Sequence, residues 1–213
     1  MKTDDFISLL ATDVAPVDRH ALTKRFCVAV LVGVAGATLL MATLLGIRPD
    51  LAEVALTPIF WAKVALPLCL MIDSLWMSTR FARPGVRAGV SGWLTAAPVA
   101  AVWLATAYVL LAAPPDARLA LVLGQTWRVC PTLIAMLAVP GFVAVFWALR
   151  GLAPTQLAAA GAAGGLLAGS TATLVYCLHC PEMGVPFWGV WYLLGMLVPT
   201  VIGALLGPRL LRW

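Results

Sequence analysis

Charge is the scarcest property of this chain. Lys, Arg, Asp and Glu together make up only 11% of its 213 residues, where soluble domains carry about 25%. Histidine is nearly absent: His20 and His179 are the only two. There is no P-loop, no HExxH, no serine-nucleophile motif and no close carboxylate pair, so the usual catalytic constellations are missing. An enzyme is not expected. The two halves also lack matching interrupted helices and a row of intramembrane charges, which disfavours a transporter.

What is abundant is apolar surface. Residues of that class reach 62% and the mean hydropathy is +0.99. A hydrocarbon core of about 30 Å needs roughly 20 apolar residues per helix, and six stretches qualify: about 26–46, 58–79, 90–112, 129–149, 155–177 and 187–207. Five of these contain no charged residue. The first begins after 25 residues and lacks a small-residue cleavage site, so it is read as a retained span. The expected fold is all-α, a polytopic bundle of six transmembrane helices with a short helical N-terminal tail.

Basic residues set the expected orientation. Lys2, Arg19, Lys24, Arg25, Arg80, Arg83, Arg87, Arg150, Arg209 and Arg212 share one side. Arg48, Lys63, Arg118 and Arg128 fall on the other. Ten against four places both termini in the cytoplasm. Residues 1–25 then form a cytosolic tail and residues 26–213 the membrane domain. The net charge of +5 follows from this topology, and direct nucleic-acid binding need not be invoked.

Within the tail, residues 3–15 are predicted to be helical, capped by Thr3 or Asp4 and ended by Pro16. Phe6, Ile7, Leu10 and Val14 fall on one stripe. Asp4, Asp5 and Asp13 against Lys2 make the tail unsuited to an anionic inner leaflet. A protein groove suits it better.

The second span carries two ionisable residues, Lys63 and Asp73. Groups at such depth are functional by default, but Lys63 is close enough to an outer boundary to snorkel, and either residue can pair with another helix. Gly161, Gly165 and Gly169 give the fifth span a small-residue face, suited to packing within the bundle or to a homo-oligomer. Trp61, Trp93, Trp127, Trp147, Trp188 and Trp191 lie near span ends and read as interfacial anchors.

Five cysteines remain. Cys27 and Cys69 read as small core residues. Cys130, Cys177 and Cys180 all fall at or near the outer face, in Arg128-Val129-Cys130-Pro131 and Cys177-Leu178-His179-Cys180-Pro181-Glu182-Met183. Pro131 suits a first helical turn, so Cys130 sits at a helix N-terminus two residues from Arg128. Those surroundings favour a thiolate if the sulfur is not deeply buried. Three chemistries stay open: a Cys130–Cys180 disulfide, redox-active or structural; a soft-metal site with Cys177, His179, Glu182 or Met183 contributing; and ordinary thiols. A metal ion under the second is the only cofactor candidate. Pro181 stands where a c-type haem motif needs His.

These residues resemble the NrsF family. The resemblance rests on Lys2-Thr3-Asp4-Asp5-Phe6-Ile7, Arg83-Pro84-Gly85, Cys130-Pro131, Leu149-Arg150-Gly151-Leu152-Ala153-Pro154 and Gly207-Pro208-Arg209-Leu210. Its most specific part is Leu178-His179-Cys180-Pro181-Glu182-Met183. It implies a six-span anti-sigma factor of the bacterial inner membrane that holds an extracytoplasmic-function (ECF) sigma factor inactive. It implies sigma contacts in residues 1–25, with Asp4, Asp5, Phe6, Leu9 and Leu10 foremost and Arg80, Arg83 and Arg87 assisting. It also implies that Cys130 and Cys180 take part in perceiving oxidant or heavy-metal stress on the periplasmic side, and it assigns no role to Cys177. The alternatives from the same cysteines are a membrane thiol-disulfide oxidoreductase and a metal-handling membrane protein.

Overall fold

Long apolar runs become long helices even across internal prolines such as Pro67, Pro98, Pro140 and Pro199, and the computed structural model of the chain is built from these. It describes residues 3–12, 20–85 and 91–212. Lys2, Asp13, Val14, Pro16, Asp18, Arg19 and Arg87 lie outside the described residues, as does the side chain of Leu9.

Nine α-helices follow in order among the described residues: α1 (Thr3–Ala11), α2 (Ala21–Leu40), α3 (Leu51–Val54), α4 (Pro58–Phe81), α5 (Ser91–Ala112), α6 (Pro115–Leu123), α7 (Cys130–Arg150), α8 (Leu157–Tyr176) and α9 (Val185–Leu210). α2 continues through one π-helical turn, Met41–Leu45, and stops at Gly46, whose φ of 77° only glycine adopts freely. Six of these elements are long and apolar enough to cross a membrane: α2 with its π turn, α4, α5, α7, α8 and α9. The spans agree with expectation within a few residues at each end. α2 begins five residues early because nothing from Ala21 to Arg25 breaks a helix, and α9 starts early on Pro186 in its first turn.

α8 is the central helix, packed on α9, α7, α4 and α2, while α5 leans on α4 and α9 at the edge. The glycine face of α8 is spent on α9. A Cβ at Gly161 would overlap the Gly203 carbonyl oxygen, and one at Gly165 would overlap that of Pro199. The face is thus covered from within the chain, which is the bundle-packing alternative of the sequence reading. Hydroxyls in α8 are satisfied locally: Ser170, Thr171 and Thr173 donate to the carbonyls of Leu166, Leu167 and Gly169 at 2.7, 2.7 and 2.8 Å, as an apolar medium requires.

The connections alternate between two ends. At the proximal end α2 begins and α9 finishes. The distal end gathers residues 46–57, 113–129 and 177–184. α1 presents Phe6, Ile7 and Leu10 to the outside, each about half exposed.

Candidate functional site: a thiol cluster under two cations

Cys130 opens α7, its amide bonded to the Thr126 carbonyl at 3.0 Å. Cys177 and Cys180 close α8, which unwinds through tight turns: the amides of Leu178, His179 and Cys180 reach the carbonyls of Val175, Tyr176 and Tyr176, all at 3.0 Å. α7 and α8 pack side by side, so the three cysteines converge although 47 residues separate Cys130 from Cys177. All three are fully buried, and no disulfide is formed among the described cysteines. Tyr176 neighbours Cys130 and Cys180, while Tyr192 of α9 neighbours Cys177 and Cys180. The two tyrosine rings meet edge to face at 5.9 Å.

A cation lies in the same pocket. Lys63 is completely buried, and its Nζ donates to the carbonyl oxygens of Cys180 at 2.8 Å and Glu182 at 2.9 Å. It also sits 5.6 Å from the Tyr192 ring centre, within cation–π range. The snorkelling expectation for Lys63 is therefore corrected. The 177–184 loop folds over the start of α4, closing the route to water and offering carbonyl oxygens in its place.

Arg48 is the second cation, one that sequence reasoning passed over. Its guanidinium forks onto Asp50, with Nε to Oδ1 at 2.7 Å and Nη2 to Oδ2 at 2.8 Å. Its Nη1 donates to the Cys180 carbonyl at 3.1 Å and contacts the Met183 sulfur at 3.5 Å. The Arg48 hydrogen bond is the main reason the Asp50 carboxyl is held below its ordinary range. The Cys180 carbonyl thus receives two charged donors from different elements.

The remaining site residues staple the loop. His179 Nδ1 lies 2.9 Å from the Gly46 carbonyl. Glu182 Oε1 accepts from the amides of Gln125 and Thr126 at 2.7 and 3.2 Å. Gly124 makes room for this carboxylate: its φ is 53°, and a Cβ there would strike Glu182 and Phe187. His179, Glu182 and Met183 therefore hold the loop around the thiols through these contacts. Among the described residues no three of His, Cys, Asp and Glu are grouped to hold a metal ion.

Several expectations shift. Cys130 stands at the N-terminus of α7 as expected, but it is fully buried, and the Arg128 guanidinium lies 5.2 Å from the Trp127 ring centre. Cys27 and Cys69, read as core, are exposed. Trp61, Trp93 and Trp147 are exposed near span ends as anchors should be, but Trp188 is core. Trp127 and Trp191 pack together at 5.4 Å, and Trp191 Nε1 donates to the Val122 carbonyl at 2.7 Å. Asp73 is buried near the proximal end and takes a short hydrogen bond from Thr95 of α5. It is thus paired with another helix, as one of the sequence readings expected.

The cluster is a closed, reduced thiol pocket whose lid is pinned by charged bonds to three separate elements.

Comparison with known proteins gives one family model, described as NrsF, Negative regulator of sigma F, matching residues 10–213. A protein of Azospira oryzae named "Probable anti-sigma-F factor NrsF" is 48% identical over 216 residues, covering all of both chains. A protein of Caulobacter vibrioides named "Anti-sigma-F factor NrsF" is 38% identical over 215 residues, again covering both in full. No solved structure matches.

Proposed function

The chain belongs to the NrsF family of negative regulators of sigma F, and from that premise we propose that it is a membrane-bound anti-sigma factor for an ECF-type sigma factor. Its proximal end faces the cytosol of the bacterial cell and its distal end the periplasm. The N-terminal segment binds the sigma factor, and the thiol cluster controls release.

The observation that carries the binding half is α1. It is a short helix with Asp4 and Asp5 in its first turn and an apolar stripe of Phe6, Ile7 and Leu10 left uncovered. An uncovered stripe with an acidic edge suits a helix-in-groove partner carrying basic flanks. Arg80 and Arg83, at the proximal end of α4, stand where they can add contacts.

The sensing half draws on the convergence of Cys130, Cys177 and Cys180. Oxidation of a thiol pair to a disulfide, with electrons passing to the oxidant, or capture of a soft metal ion by deprotonated sulfurs would alter the pocket that Lys63 and Arg48 close. α4 carries Lys63 at the pocket and Arg80 at the other end, about 25 Å away by helix rise. Tilt or rotation of α4 is the route by which a distal event biases the proximal face. That bias requires the modified pocket to favour one of two arrangements.

Co-purification from the native membrane tests the binding half. The intact chain should carry a sigma factor, and a version lacking residues 1–15 should not. Recovery with both versions would move the binding site elsewhere; recovery with neither would remove the anti-sigma reading.

A further inference from the structure

At the proximal end α2 and α4 barely touch, and the space between them is an apolar groove of about 380 Å³. Leu22, Phe26, Val30 and Leu31 line it from α2, and Leu75 and Thr79 from α4. Thr79 also belongs to a neighbouring cleft formed with Trp76, Arg80 and Arg83, where the Arg80 guanidinium lies 4.7 Å from the Trp76 ring centre. Along α4 the surface therefore passes from apolar to basic within two turns.

α1 has the complementary order: Asp4 and Asp5 first, then Phe6, Ile7 and Leu10. The ten residues from Ala11 to Ala21 span up to about 33 Å when extended, enough to bring the helix back across the proximal face. Lipid is the weaker occupant for α1 to seek, since an anionic leaflet repels an acidic helix, whereas Arg80 and Arg83 attract one.

We propose that α1 docks its Phe6–Ile7–Leu10 stripe into the α2–α4 groove, with Asp4 and Asp5 against Arg80 and Arg83, whenever no sigma factor is bound. The groove is a parking site for the tail. The parked tail and the sigma-bound tail exclude one another, because the same stripe is buried in both. This inference rests on the tail being the sigma-binding element. Apparent sigma affinity is then lowered by the parked fraction, and any distal event that moves α4 changes that fraction.

The native thiol of Cys27 supplies the test. It lines the groove and is exposed, and Ile7 lies in the middle of the stripe. The Ile7→Cys chain, in bilayers of phosphatidylethanolamine and phosphatidylglycerol, is treated with a mild oxidant and mapped by peptide mass spectrometry. A disulfide between position 7 and Cys27 within one chain should form when no sigma factor is present. Adding Cys27→Ala should abolish it. Thr23→Trp, at an exposed position on the groove's rim, should block docking and tighten sigma binding, by about tenfold if nine tails in ten are parked. Absence of the intrachain disulfide while the sigma factor still binds the unsubstituted chain would overturn this inference alone. The same disulfide formed between two chains would replace the tail with a second copy. If the sigma factor fails to bind the intact chain, both this inference and the proposed function fall.

Discussion

The ammonium of Lys63 and the carbonyl oxygen of Cys180 lie 2.8 Å apart, in a pocket with no water-accessible surface on either residue. A buried cation is costly unless its donors are met. Here they are met by the backbone of the loop that carries His179-Cys180-Pro181-Glu182. Lys63 therefore holds the lid of the thiol cluster, and the variants below follow from that arrangement.

Lys63→Ala should open the lid. The Glu182 carbonyl loses its charged donor, while the Cys180 carbonyl keeps Arg48. A hydrogen bond from a charged donor is worth about 1.5–3 kcal/mol, and its loss would raise labelling of Cys180 by a small maleimide about tenfold or more in intact membranes. Labelling unchanged from wild type would show that the loop is held elsewhere.

Glu182→Ala should loosen the same loop from its other side, because the amides of Gln125 and Thr126 lose a charge-assisted acceptor. A loss of about 1–3 kcal/mol should appear as a lower thermal midpoint in detergent. Glu182→Gln, which keeps an acceptor oxygen, should recover much of it. Equal midpoints for all three chains would contradict the assigned role.

The pH response of the Arg48–Asp50 pair has a definite sign. The Asp50 carboxyl is held below its ordinary value of 3.8, chiefly by the Arg48 hydrogen bond. A lowered folded value means that the stabilisation is present above the unfolded value and is lost as pH falls through the folded one. The midpoint difference between wild type and Asp50→Asn should therefore stay constant from neutral pH down to about pH 5 and shrink below about pH 4. A difference that grows on acidification would contradict it.

Gly165→Val should damage the bundle severely. The added side chain would occupy the place of the Pro199 carbonyl, and separating α8 from α9 dismantles the central contact of the fold. Overpacking costs typically about 1–3 kcal/mol and sometimes more, so membrane-integrated protein should fall sharply. Gly46→Ala, at a position where a Cβ meets nothing but the φ is 77°, should be milder. Equal yields for both would contradict the packing account.

The spans were legible because each is a long apolar run, and a run of that length in a chain this poor in charge has few alternatives to a membrane helix. The cysteine loop was legible because its polar residues interrupt such a run. Arg48 was not, since its partner carbonyl lies 132 residues away, and nothing local distinguishes it from a boundary arginine. Tyr176 and Tyr192 were hidden for the same reason, as apolar-looking residues whose neighbours come from other helices. Lys63 was misjudged by depth alone: its distance from the helix start permits snorkelling, but the loop that covers it comes from far along the chain. Trp188 sits at a span end yet faces inward, and position along a helix does not reveal which face is buried when all faces are apolar.

The central claim is that the distal thiol cluster governs what the proximal tail holds. Its most direct measurement is sigma factor retained by the chain in reconstituted bilayers, before and after hydrogen peroxide or cadmium ion reaches the distal face alone. The account expects at least one of these agents to discharge the sigma factor from wild type, and the Cys130→Ser and Cys180→Ser chains to keep it. Discharge from wild type and from both serine variants alike would contradict the account, as would retention by wild type under both agents.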